Sequence, residues 1–119
     1  MARIADYTII ADAWVIQADQ DTIEFQVSAN LNVPSRAVLG FMLDVDNNGE
    51  LTLKIRLNGH EVWSWHYSDE SRHPVRYFQE VIGGNVVRPG TNVLSFDGSS
   101  GDKWFAQISD AVLWFQVNV

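Results

Sequence analysis

The sequence contains 119 residues and no cysteine, which corresponds to a single domain over residues 1–119 and excludes disulfides and thiol chemistry. Its formal net charge of −7 argues against nucleic acid and anionic membrane surfaces as partners, because both require a basic patch. No apolar run is long enough to span a membrane, and the first residues lack the apolar segment of a signal peptide. These features leave the cellular location open.

Strand patterns separated by turn residues recur along the chain, and no segment shows the period of an amphipathic helix. Residues 51–57 alternate strictly between apolar and polar side chains, and Asn58-Gly59 follows, a dipeptide that favours a two-residue hairpin turn. Residues 37–45 are apolar on both faces, which predicts a central strand. Further strands are predicted over residues 3–10, 14–17, 22–27, 60–67, 77–82, 93–96 and 111–119, with turns at 19–21 and 46–49 and loops at 68–74 and 97–103. This spacing predicts an all-β fold, an antiparallel sandwich or a barrel.

Three segments in the middle of the chain carry a family resemblance: Leu57-Asn58-Gly59-His60-Glu61-Val62, the polar loop with Asp69, Ser71, Arg72 and Pro74, and Val87-Arg88-Pro89-Gly90-Thr91-Asn92-Val93-Leu94. They resemble the sugar-binding jelly-roll domain of family 2 glycoside hydrolases and, more broadly, the galactose-binding-like β-sandwich. The resemblance implies an antiparallel jelly roll of about eight strands. Its residues shape turns and core, and no catalytic residue is carried over, because catalysis in that family belongs to a separate barrel domain.

The hairpin around Asn58-Gly59 offers a first candidate site. With a two-residue turn, Lys54 pairs with Trp63 and Thr52 with Trp65 on the outer face of the hairpin. Indole rings beside polar donors suit a sugar, whose C–H face stacks while its hydroxyls form hydrogen bonds. The predicted ligand-binding residues here are Trp63, Trp65, Lys54 and Arg56. Two alternatives remain: a bulged three-residue loop shifts the register by one and turns both rings inward, or the rings are buried against another strand, the termini or a partner subunit.

A second candidate site is a structural calcium site at the segment Asp44 to Glu50. Oxygen ligands at alternate positions and a glycine at the sixth resemble the start of a calcium loop. The predicted ligands are Asp44, Asp46, Asn48 and the carbonyl of Glu50. The position of the closing glutamate of the helical calcium loop is occupied by Ile55, and the alternative is an ordinary hairpin turn.

A third candidate site is the loop over residues 97–104, whose Asp102, Lys103 and Trp104 are predicted to line a pocket. The alternative is a solvated connection that Trp104 anchors to the core. The three histidines lack the spacing of a metal triad, and the sequence contains no nucleophile elbow. The sequence therefore favours a protein that is not an enzyme.

The favoured function is a non-catalytic, lectin-like module that binds carbohydrate, with no cofactor apart from the structural calcium. The alternative is a structural or interaction domain that forms homo-oligomers through its aromatic and apolar sheet surface. This alternative rests on the apolar last strand, residues 112–115, and on the aromatic hairpin.

Overall fold

The described part of the chain consists of strands, turns and loops. The computed structural model describes residues 2–16, 19–68 and 71–119, and gives only the backbone of Ser71 and Arg72. Within these ranges no helix is long and apolar enough to cross a membrane. The strands are β1 (Arg3–Val15), β2 (Gln20–Val27), β3 (Ala37–Asn47), β4 (Leu51–Leu57), β5 (His60–Tyr67), β6 (Ser71–Arg72), β7 (Arg76–Ile82), β8 (Gly90–Ser99) and β9 (Trp104–Asn118).

The strands form two antiparallel sheets that pack face to face. Sheet A has the order β1-β9-β3, and both β6 and β7 pair with the far edge of β3. Because β6 pairs with the end of β3 and β7 with its first seven residues, the two share one strand position. Sheet B has the order β2-β8-β4-β5. The prediction of an antiparallel β-sandwich with about eight strands is confirmed.

Several predicted boundaries are wrong. Arg3 to Val15 form one strand, because a bulge between Ile9 and Ala11 lets β1 bend without ending, so no separate strand begins at Trp14. Gln17, assigned to that second strand, lies outside the described residues. The strand β2 already begins at Gln20, inside the predicted turn, and β8 continues to Ser99 into the predicted loop. Asp69, in the polar loop after β5, also lies outside the described residues.

The core lies between the sheets and follows from the strand alternation. All four apolar residues of β4 are fully buried, and each large aliphatic side chain removed from water stabilises the fold by about 1.5–3 kcal/mol. The other fully buried large side chains are Leu39, Phe41, Leu43, Ile82, Leu94, Phe96, Ile108 and Leu113. The inner faces of both sheets are therefore continuous apolar surfaces.

Two asparagines explain the motif that carries the family resemblance. Asn92 is fully buried, and its Nδ2 donates to the carbonyls of Arg88 (2.7 Å) and Gly90 (3.1 Å). Its Oδ1 accepts from Asn58 Nδ2 (2.8 Å) and from the backbone N–H of Arg88 (2.9 Å). Asn58 Oδ1 accepts in turn from the backbone N–H of Val93 (2.9 Å). These bonds join the β4–β5 hairpin to the turn before β8, and a buried polar side chain is tolerated only when it is bonded in this way.

Candidate functional site

The β4–β5 hairpin has the predicted turn but the wrong register for the predicted aromatic surface. Asn58 and Gly59 have φ values of 50° and 85°, and Leu57 lies opposite His60, as a two-residue turn requires. Val62 then bulges out, so that Ile55 pairs with Trp63. One unpaired residue turns every later side chain of β5 to the opposite face. The prediction that Trp63 and Trp65 lie on the outer face of the hairpin, opposite Lys54 and Thr52, is wrong.

Both indoles of β5 consequently face the inner side. Trp63 is only 4% exposed and lies edge-on to Phe41 and Phe78, with ring centroids 5.3 and 5.1 Å apart. Trp65 is 38% exposed because β5 is an edge strand, and its ring packs edge-on against Phe78 at 5.1 Å. Trp63 is therefore a core residue, and the two rings form no flat external surface.

The outer face of sheet B is charged. Lys54 Nζ lies 3.6 Å from Glu61 Oε1, and Arg56 forms an ion pair with Asp97. The structure thus places Lys54 and Arg56 among carboxylates and away from both indoles. A role for Lys54 and Arg56 in ligand binding stays a prediction.

The structure instead brings two other predicted segments together at one end of the sandwich. The turn after β3 and the start of β9 enclose a cleft of about 210 Å³, which we call the loop-end cleft. Its described lining residues are Asp46, Asn48, Lys103, Trp104 and Phe105. Asp46 pairs with Phe105 across the β3–β9 ladder, and the backbone N–H of Asn48 donates to the carbonyl of Lys103 (3.2 Å).

Close packing holds the two walls of the loop-end cleft in place. Asn47 is buried; its Nδ2 donates to the carbonyl of Gly49, and its Oδ1 lies 2.8 Å from His73 Nε2. The Trp104 indole lies directly over Gly98, where a Cβ would collide with the ring. The Asp102 carboxylate lies against Gly49 in the same way. Glycine at both positions allows the close approach of the Trp104 and Asp102 side chains to the backbone of Gly98 and Gly49.

The predicted site residues are divided by this arrangement. Asp46, Asn48 and Trp104 line the loop-end cleft, whereas Asp102 contacts the neighbouring turn and does not line it. Asp44 lies two residues back on the outer face of sheet A, opposite Gln107, and Glu50 is exposed. Among the described residues no group of three or more His, Asp or Glu side chains is placed to hold a metal ion. The calcium site stays a prediction.

Phe105 is a lining residue that was not predicted from the sequence. The pattern of residues 111–119 predicted only the second half of β9, and the position of Phe105 beside Asp46 depends on a long-range register. The signal that could have revealed it is the alternation of residues 104–108, in which Ala106 and Ile108 are fully buried and Phe105 faces outward. Chemically, the cleft offers the outward-facing Phe105 ring beside a carboxylate, an amide and an ammonium group, with Trp104 as part of its wall.

Comparisons with known proteins confirm the fold. No protein-family model matches the sequence, and no curated protein matches it. The matching structures include part of dimeric latent PorU from Porphyromonas gingivalis, with a TM-score of 0.69, 15% identity, and coverage of 84% of this chain and 10% of PorU. The CBM36-1 domain of a multidomain xylanase from the hindgut metagenome of Trinervitermes trinervoides has a TM-score of 0.50, 14% identity, and coverage of 88% and 78%. For the exo-β-1,3-galactanase of Phanerochaete chrysosporium, with β-1,3-galactotriose, the TM-score is 0.51 at 15% identity, with coverage of 95% and 27%. The chain therefore spans about a tenth of PorU, and these likenesses confirm its fold as an antiparallel β-sandwich.

Proposed function

We propose that this protein is a non-catalytic carbohydrate-binding module and that the loop-end cleft is its ligand site. The observation that carries the proposal is the combination of two aromatic residues, Trp104 and the outward-facing Phe105, with Asp46, Asn48 and Lys103 in one cleft. A sugar has apolar C–H faces and polar hydroxyl edges, so it needs both kinds of partner within one small surface. The arrangement supplies the Phe105 ring for stacking, a hydrogen-bond acceptor and two donors.

The size of the cleft favours a single sugar residue. Its volume of about 210 Å³ lies below the roughly 300–1,000 Å³ of pockets that enclose drug-sized ligands. One sugar ring would occupy the cleft, and the rest of an oligosaccharide would extend across the end of the sandwich. The fold likeness to the xylanase CBM36-1 domain and to part of the galactanase supports carbohydrate as the ligand class.

A binding role suits the cleft better than hydrolysis does. Glycoside hydrolases use two carboxylates about 5–9.5 Å apart, one on each side of the scissile bond. Among the described residues that line the cleft, Asp46 is the only carboxylate. Serine, cysteine and histidine are the usual nucleophiles and bases of hydrolytic enzymes. None of them is among the described residues that line the cleft.

The test is a calorimetric titration with β-linked xylo- and galacto-oligosaccharides. Asn48→Ala and Lys103→Ala change exposed side chains, and each is expected to weaken binding about 3- to 10-fold through loss of a hydrogen bond. Trp104→Ala is expected to weaken it more than 10-fold, because it removes a large side chain that forms the wall of the cleft. Trp65→Ala is the matched control, since Trp65 is a half-exposed indole on another strand.

Two results would refute the carbohydrate site. One is the absence of heat with every sugar while the wild-type protein remains folded by circular dichroism. The other is equal weakening by Trp65→Ala and Trp104→Ala. Thermal melting of each variant distinguishes lost binding from lost folding, which matters for the partly buried Trp104.

A further inference from the structure

The outer face of sheet A is apolar and aromatic where it would ordinarily be polar. It exposes Tyr7, Ile9, Met42, Tyr77, Val81 and Trp114, with exposed fractions between 38% and 62%. The ladder aligns these side chains in rows across the strands, for example Tyr7 beside Trp114, then Val38, then Val81. Folded monomers rarely expose a contiguous apolar patch of more than a few hundred Å² without a binding role.

A glycine at the centre of this face allows two aromatic rings to lie flat on the sheet. Gly40 lies in the middle of β3, and the Tyr77 hydroxyl and the Trp114 ring both lie where its Cβ would stand. The two rings therefore lie across the backbone of β3. This arrangement produces a flat surface, which suits another sheet packed face to face at about 10 Å.

The chemistry of the face favours protein over sugar. Ile9, Met42 and Val81 lie among the rings and have no donor or acceptor for a hydroxyl group. Gln79, opposite Gly40, and the Tyr77 hydroxyl are polar groups at the centre of the face, and Gln79 Nε2 donates to that hydroxyl (3.5 Å). A second protein surface buries aliphatic side chains favourably and needs no hydrogen bond from them.

Two opposite charges along the line of β3 point to a second copy of the chain. Arg36 lies four residues before Gly40 and Asp44 lies four residues after it. The alternation of β3 puts Gly40 and the partly buried Asp44 on the outer face, and Arg36, which directly precedes β3, lines a shallow pocket on that face with Val38 and Trp114. Each charge is therefore about 13 Å from Gly40 along the strand. A two-fold symmetric interface requires a patch that is complementary to itself. A positive charge on one side of Gly40 and a negative charge at the same distance on the other side meet this requirement. Among the described residues Arg36 forms no ion pair.

We propose that two copies of this protein associate through the outer faces of their A sheets, about a two-fold axis that crosses the strands at Gly40. This axis places Arg36 of one copy opposite Asp44 of the other, twice in the dimer. Asp110 is exposed at the bulge of β9, between the levels of Gly40 and Met42. In this dimer it lies close to Asp110 of the other copy.

The area of the face agrees with a dimer. Four strands about 4.8 Å apart and roughly nine residues of about 3.3 Å rise give a projected area of about 570 Å². Side chains that stand above the sheet raise the accessible area towards the roughly 800 Å² per partner of a standard interface. The two loop-end clefts lie at opposite ends of such a dimer, so it would be bivalent for a long polysaccharide.

The test is analytical ultracentrifugation of the whole chain over about 1–100 µM, the range in which a modest interface dissociates. The wild-type protein is expected to be dimeric in the upper part of this range. Val81→Glu, at a side chain that is 62% exposed, is expected to weaken association at least 10-fold. Thr22→Glu, at an exposed position on the outer face of sheet B, is the matched control and should leave it unchanged.

The decisive experiment mixes two charge variants. Arg36→Asp alone brings two carboxylates face to face at each contact, and Asp44→Arg alone brings two guanidinium groups face to face. Each variant is therefore expected to dimerise at least 10-fold more weakly than the wild-type protein.

The two-fold axis decides what the mixture does. In the heterodimer, the new carboxylate at position 36 of one copy lies opposite the new guanidinium at position 44 of the other, and the second contact keeps the original Arg36 and Asp44. Both contacts are attractive, so the equimolar mixture is expected to form heterodimers with close to the wild-type affinity. A merely destabilising effect of either substitution could not be repaired by mixing.

Several outcomes would overturn the dimer. A wild-type chain that stays monomeric at about 100 µM excludes it, as does a mixture that fails to associate better than its components. Loss of polysaccharide binding by Val81→Glu in a monomeric protein would assign the face to carbohydrate instead. Because sugar binding at the loop-end cleft is measured separately, failure of the dimer leaves the proposed function intact.

Discussion

The outer faces of the two sheets have opposite character, although the same strand alternation generates both. The outer face of sheet B carries Lys54 and Arg56, each paired with a carboxylate, and these side chains are partly exposed to solvent. The outer face of sheet A carries Tyr7, Tyr77 and Trp114, half exposed. A strand pattern therefore identifies which side chains share a face, and the chemistry of the outward set indicates whether that face meets water or another surface.

The largest effect is expected where inner and outer tryptophans are compared. Trp63→Ala should lower the free energy of unfolding by about 3–5 kcal/mol, because it removes a buried ring between two phenylalanines. Trp114→Ala should cost only about 1–2 kcal/mol, because the ring is already 38% exposed. Urea denaturation at a concentration where the protein is monomeric measures both values. Equal costs would contradict the assignment of the two rings to different faces.

The hairpin shows how far a single sequence determines such a face. The alternation of residues 51–57 and the Asn58-Gly59 turn were both predictable, because each depends on neighbouring residues alone. The register of β5 was not obtained from the turn, because the unpaired Val62 shifts it by one. Yet residues 63–67 alternate as Trp, Ser, Trp, His and Tyr, a pattern that already turns the rings inward. Burial of this apolar set outweighs the simplest continuation of the turn.

The candidate site was predictable only in part. Asn48 and Trp104 each belong to a segment whose composition predicts a turn or loop. Each residue was therefore predicted as part of a candidate site, but of two separate sites. Their meeting depends on the pairing of β3 with β9, which are far apart in sequence. Pairing at this separation is decided by packing across the whole sandwich, and local residue preference carries little information about it.

A smaller effect on dimerisation is expected when the charge of Asp110 is removed. Removal of a charge from sheet A should change the dimer affinity, whereas removal of a charge from sheet B should not. In the proposed dimer its carboxylate lies near its symmetry mate, and removing a like-charge contact at a surface contributes about 0.2–1 kcal/mol. Asp110→Asn should therefore tighten dimerisation about 1.5- to 5-fold, and the gain should shrink as salt is added. Glu24→Gln removes an exposed charge from sheet B and is the control. Ultracentrifugation at two salt concentrations measures the difference, and equal gains from both variants would mean that net charge alone is responsible.

The smallest effects are expected on the outer face of sheet B itself. Lys54→Ala should change the free energy of unfolding by less than about 0.5 kcal/mol, because its contact with Glu61 is long and both side chains are about half exposed. Arg56→Ala should cost more, up to about 1 kcal/mol, because it leaves the less exposed Asp97 carboxylate without its cation. Urea denaturation with Asp97→Asn in the Arg56→Ala background separates the two causes. Recovery of stability in that double variant would indicate the stranded carboxylate, whereas no recovery would assign the loss to the packing of the arginine stem. Neither substitution should alter dimerisation, and a change there would show that the charged face also takes part in association.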